Sequence, residues 1–160
     1  MATTQTGHPP PIKISRATLA DLRALTPLFD AYRVFYRQPS DPDEARTFLE
    51  ARFERNESVI FMAHDAMDDD PSGFTQLYPL FSSVSMRRIW VLNDLFVVPK
   101  ARKRGVAHGL MDAARELGRA TGAIRLTLET SEDNRPAQTL YESLGYRRES
   151  GTRHYSLQLD

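Results

Sequence analysis

Residues 91–98 read Val-Leu-Asn-Asp-Leu-Phe-Val-Val and run through Pro99-Lys100-Ala101 into Arg102-Lys103-Arg104-Gly105-Val106-Ala107-His108-Gly109-Leu110. An apolar strand thus feeds a basic loop with a glycine, and the loop opens an apolar-faced helix. The unpaired N–H groups of the first helical turn point at one spot there, and the helix dipole favours negative charge. Gly105 and Ala107 let a ligand come close to the backbone. Arg102, Lys103 and Arg104 add positive charge. The stretch suits an anion such as a pyrophosphate. It also suits a basic turn that does no more than join a strand to a helix.

Charge along the chain is uneven. Lys+Arg and Asp+Glu both number 21, so the formal net charge is zero. Residues 41–70 nevertheless hold ten acids against three arginines, and residues 87–104 hold six Lys/Arg against Asp94 alone. This polarity fits an anionic ligand near 102–104, or simply two differently charged solvated faces.

The loop pattern is R-x-x-G-x-A, from Arg102 through Gly105 to Ala107. It resembles the [Q/R]-x-x-G-x-[G/A] signature of the GNAT acetyltransferase superfamily. Downstream, Asn134-Arg135-Pro136-Ala137-Gln138-Thr139-Leu140-Tyr141-Glu142-Ser143-Leu144-Gly145-Tyr146 looks like that family's second signature, N-x-x-A-x-x-x-Y-x-x-x-G-[F/Y]. The resemblance covers about residues 12–159 and is closest from 92 to 146. The nearest branch is the polyamine type, whose strand also reads close to L-[N/E]-D-[L/F]-[F/Y]-V.

This resemblance implies acetyl-CoA as cosubstrate and no metal. It implies that the main chain of Leu95, Phe96 and Val97 pairs with the pantetheine arm like an added strand. The segment Arg102, Lys103, Arg104, Gly105, Val106, Ala107 and His108 would hold the pyrophosphate. Asn134 would face the pantetheine or a water beside it, and Tyr141 would lie near the thioester sulfur. The chemistry agrees. Amine attack on a thioester expels a thiolate, and a phenol of pKa ~10 is fairly matched to that leaving group. An amine of pKa ~10 must also lose a proton. The polyamine-type branch carries a glutamate where this chain has Asn93, and an amide is no base. Asp94 and Glu129, acting through water, are the remaining candidates, and a structural salt bridge is an equal use for either. With no cysteine in the chain, an acetyl-cysteine intermediate is excluded. Direct transfer in a ternary complex is the simplest scheme.

Other chemistries do not fit. Neither G-x-G-x-x-G nor G-x-x-x-x-G-K-[ST] nor G-x-S-x-G occurs. The four histidines have no H-E-x-x-H spacing. Asp68, Asp70, Ser72 and Gly73 imitate half a calcium loop, but Pro79 stands where its glutamate is needed.

The elements that must position these residues follow from periodicity. Strands are expected at 12–16, 58–64, 73–81, 88–98, 123–130, 146–149 and 153–159. Helices are expected at 19–36, along the apolar stripe Ala45, Phe48, Leu49 and Phe53, at 105–121 and at 135–144. Pro27 should kink or restart the first helix. Ser40-Asp41-Pro42 starts the second. The class is α/β (α+β): a GNAT fold with a central mixed, splayed sheet of about seven strands flanked by four helices. Residues 1–11 read as a flexible tail and 12–160 as one domain.

The expected protein is a cytoplasmic N-acetyltransferase acting on a small primary amine, such as a polyamine, amino acid or amino compound. Tyr32, Phe35, Tyr36, Tyr78, Phe81 and Trp90 are candidates for the acceptor wall, with core packing as their ordinary use. A homodimer is expected through 73–90. No nucleic acid or membrane partner is expected, since there is no basic excess and no apolar run of ~20 residues. Acetylation of a protein lysine or N-terminus, and acetyl-CoA binding without turnover, are the alternatives.

Overall fold

The computed structural model describes residues 11–65 and 70–159, so the expected tail and most of the acidic turn after residue 65 lie outside the described residues. The chain divides into two compact units, 1–128 and 129–160. The first unit holds a five-stranded sheet in the order β1-β2-β3-β4-β5. Its strands are β1 (Ile12–Arg16), β2 (Val59–Asp65), β3 (Pro71–Ser82), β4 (Arg87–Val97) and β5 (Leu126–Thr127). The first four pair antiparallel, and β4 pairs parallel with β5.

Strand alternation sorts the core onto two faces. Ile60 and Met62 of β2, Phe74 of β3 and Phe96 of β4 meet α1 (Leu22–Phe35) and α2 (Pro42–Glu54) on one face. Ala63, Leu95 and Val97 meet Val106 and Leu110 of α3 (Val106–Ala120) on the other. Gly73 is required where α3 crosses: a Cβ there would stand 2.7 Å from the Phe96 carbonyl oxygen.

Capping explains the helix starts. The Thr18 N–H donates to the Asp21 carboxylate (2.8 Å) before a 3₁₀ turn over Leu19–Asp21, so the first α-helix begins later than its apolar spacing implies. Pro27 does not break α1. Its missing bond would have run to the carbonyl of exposed Arg23, where water can take its place. Asp41 accepts from the Glu44 N–H (2.9 Å), and Pro42 occupies the first turn of α2. Buried Asp30 fixes the α1–α2 connection by accepting from Ser40 Oγ (2.6 Å) and the Asp41 N–H (2.8 Å).

The described residues thus carry five strands, not about seven. The strand expected over 123–130 shortens to Leu126–Thr127. Residues 146–149 and 153–159 form no ladder within the 129–160 unit, whose one helix is α4 (Arg135–Ser143). Alternating side chains propose a strand, but only a hydrogen-bonded partner makes one. Among the described residues no helix is long and apolar enough to cross a membrane. Likewise no group of three His, Asp or Glu there could hold a metal ion.

Candidate active site

The site begins with a β-bulge. Gln76 pairs with Asp94 but Leu77 pairs with Leu92, leaving Asn93 as an extra residue in β4. A bulge shifts the alternation by one. Before it, Trp90 reaches Thr121 at the end of α3, its Nε1–H donating to Oγ1 at 2.8 Å. After it, Asp94 and Phe96 turn toward α1. Bulges recur beside active sites because they re-aim a side chain in this way.

Asp94 is only 4% exposed. Its Oδ2 accepts from Gln76 Nε2 (2.7 Å) and its Oδ1 from Asn93 Nδ2 (3.0 Å), while Thr75 Oγ1 donates to its main-chain carbonyl (2.8 Å). The Tyr32 hydroxyl also bonds to this carboxylate. Fully buried Gln76 accepts in turn from Ser58 Oγ at 2.8 Å. None of the ion pairs among the described residues includes Asp94. The result is a buried carboxylate held by neutral donors and, among the described residues, in no ion pair. Burial first, and then the Asp94 charge, raises the Tyr32 phenol above its ordinary pKa and pushes Tyr78 up to about 12. Both phenols therefore keep their protons at neutral pH.

Beside this network the sheet opens. Pairing of β4 with β5 ends at Val91↔Thr127, so residues 92–97 have no strand against their outer edge among the described residues. The Val98 N–H donates to the Ser72 carbonyl (3.0 Å), which fixes the alternation: Phe96 turns its main-chain groups to β3, while Leu95 and Val97 turn theirs outward. Of the three residues expected to offer main chain to a ligand, two face that edge. The Val97 carbonyl accepts from Arg102 Nε at 3.1 Å.

The loop follows directly. A 3₁₀ turn over Pro99–Ala101 leads into Lys103 and Gly105, both left-handed at φ 59° and 83°. Gly105 is the N-cap of α3, no side chain caps that end, and no acid lies in its first turn. A Cβ added at Gly105 would meet nothing within 4 Å. The first N–H groups of α3, including those of Val106, Ala107 and His108, have no partner within the helix. The cations are deployed differently from one another. Lys103 is exposed. Arg102 places its guanidinium 5.7 Å from the Phe35 ring. Arg104 Nη2 lies 2.6 Å from Asp65 Oδ2, tying the loop to the end of β2. His108 Nδ1 lies 3.0 Å from Asp112 Oδ2, one turn along α3.

The other expected residues belong to the 129–160 unit. Asn134 caps α4, its Oδ1 accepting from the Ala137 N–H at 3.3 Å. Tyr141 is half-buried on the same helix, its ring 6.1 Å from that of Tyr146. Glu129 is largely exposed, 3.6 Å from His154 Nδ1.

Of the aromatics expected to wall an acceptor site, Tyr32, Phe35 and Tyr36 form one ring cluster with Phe96, and the Asp94 charge reaches Tyr78. Phe81 is 64% exposed near the β3–β4 turn, and Trp90 faces α3. Sequence reasoning missed Gln76 and Ser58. The available signal was one amide inside the apolar run of β3, and its partner depends on a register that the bulge conceals.

The comparisons with known proteins identify the family. The model of the Acetyltransferase (GNAT) family matches residues 25–146. The uncharacterized N-acetyltransferase YhfO of Bacillus subtilis is 50% identical over 91% of this chain and 97% of its own. A probable acetyltransferase of Haemophilus influenzae is 31% identical over 92% and 99%. A crystal structure of a probable acetyltransferase superposes with a TM-score of 0.87 at 44% identity, covering 92% of this chain and 98% of that one. This chain belongs to the GNAT acetyltransferase family.

Proposed function

We propose that the chain transfers an acetyl group from acetyl-CoA to a primary amine of a small molecule, such as a polyamine, an amino acid or another amino compound. The observation that carries this reading is the open outer edge of residues 92–97 leading into the uncapped N-terminus of α3. Leu95 and Val97 offer main-chain groups suited to an amide-bearing arm. The open space over Gly105 and the N–H groups of the first turn of α3 suit a diphosphate. Acetyl-CoA supplies a thioester carbonyl as electrophile. Tyr141 protonates the departing sulfur as the C–S bond breaks. Asp94 takes the amine proton through water as the C–N bond forms. Its neutral donors, and its place outside the ion pairs among the described residues, support this role over Glu129, whose exposed pairing with His154 is that of an ordinary surface contact.

Other findings support the wider reading. The family match crosses both units, which favours one domain over 12–160. Among structures sharing the fold, an aminoglycoside acetyltransferase at 22% identity was crystallised with sisomicin. Exposed Leu80 and Phe81 on β3 favour a homodimer, and a sedimentation mass of one chain at micromolar concentration would refute it. CoA release measured across putrescine, spermidine, lysine and sisomicin tests the reaction itself. At least one amine should give turnover well above the rate with water. Tight acetyl-CoA binding with no turnover on any of them would leave a binding module instead.

A further inference from the structure

We propose that Asn93 binds the attacking amino group of the acceptor through its side-chain carbonyl oxygen, in an orientation that Asp94 holds. The proposal rests on the reading of this chain as an amine acetyltransferase and identifies which atom receives the amine.

Both carboxylate oxygens of Asp94 are acceptors, Oδ2 from Gln76 Nε2 and Oδ1 from Asn93 Nδ2, and a carboxylate asks each neighbour for a donor. Asn93 must therefore present Nδ2, as the 3.0 Å contact to Asp94 Oδ1 has it. This settles the orientation of an amide whose two ends are otherwise nearly indistinguishable. Gln76 is constrained twice, because its Nε2 faces Asp94 Oδ2 while its Oε1 receives Ser58 Oγ. Asp94 is thereby fixed from behind, with Tyr32 adding a further donor. With its nitrogen so held, Asn93 has Oδ1 left as an acceptor.

Place matters as much as orientation. Asn93 is exposed, whereas Asp94 is nearly sealed. As the extra residue of the bulge, Asn93 lies two positions beyond the last β4–β5 pair, where the strands part. A carbonyl oxygen backed by a buried carboxylate suits an N–H donor, and a protonated or polarised amine best of all. The rings of Tyr32 and Tyr36 stand 5.0 Å apart, with Tyr32 beside Asp94, and a cation gains from such surfaces. An amide cannot accept the proton permanently. Asn93 orients the nucleophile, and the proton passes through water to Asp94.

The test uses the full chain and the best amine among putrescine, spermidine, lysine and sisomicin. Asn93→Ala should raise the acceptor KM, or lower kcat/KM for the acceptor, by roughly ten- to a hundredfold, the effect of one hydrogen bond to a charged donor. The KM for acetyl-CoA and the melting temperature should stay nearly unchanged, because the side chain is exposed. Asn93→Gln keeps both the amide donor to Asp94 and the carbonyl oxygen, and should recover part of the loss. An unchanged acceptor kcat/KM in the alanine variant would overturn the proposal. So would a loss shared equally by acetyl-CoA, or a glutamine variant no better than alanine. If the unmodified chain binds acetyl-CoA but acetylates none of the amines, the acetyl-transfer reading itself fails before any variant is compared.

Discussion

Tyr141→Phe should lower kcat by about 10²–10⁴-fold, the usual weight of a general acid, while the KM for acetyl-CoA changes far less. The substitution keeps the ring, its half-buried position on α4 and its contact with Tyr146, and removes only the hydroxyl. A proton donor acts on charge that develops as the C–S bond breaks, so its loss falls on the transition state and not on binding. A purely structural tyrosine would instead show a small loss of stability and almost none of rate. Steady-state kinetics, with circular dichroism to confirm the fold, separates the two. A variant keeping more than about a third of kcat, with chemistry rate-limiting, would assign the proton to water.

Replacing Gly105 by Glu should weaken acetyl-CoA binding by a hundredfold or more. Like charges brought together at an interface cost several kcal/mol, and a glutamate here would face the diphosphate at the N-terminus of α3. The structure also gives the control. Gly105 has φ 83°, so any L side chain carries backbone strain of roughly 1–2 kcal/mol. A Cβ meets no other atom within 4 Å, so a methyl group adds strain but no clash. Gly105→Ala should therefore lose stability and little affinity, whereas Gly105→Glu loses both. Calorimetric titration with CoA on the two folded variants reads the difference. Equal affinities would place the diphosphate elsewhere.

The sequence made local features legible and left relational ones hidden. Ile12–Arg16 appears at its expected bounds, and Asp41-Pro42 starts α2 as its residue types require, because caps and alternation are encoded within a few neighbours. The glycine at the head of α3 was equally visible, since a left-handed N-cap leaves few alternatives. Register was not visible. No pattern in Val91-Leu92-Asn93-Asp94 announces that one residue is extra, and without the bulge Asp94 would share the α3 face with Trp90. Its partner Gln76 comes from β3, and Ser58, which donates to Gln76, comes from just before β2; each contact spans 18 residues of the chain. Arg104 shows the same limit. Its charge was legible, but its bond to Asp65, 39 residues away, was not.

The chain contains a single tryptophan, and its position gives the molecule an optical handle. Trp90 is 4% exposed and pairs with Leu126 at the end of the shared ladder, its main-chain N–H donating to the Arg125 carbonyl at 3.2 Å. Its indole is anchored to Thr121, and the Arg88 guanidinium lies 5.2 Å from its ring. A lone fluorophore thus sits at the fork where β4 and β5 separate. Red-edge excitation selects it over the six tyrosines, so its emission wavelength and quenching report on that fork alone. Anything that wedges into the open edge can be followed in real time by light, without a label and without turnover.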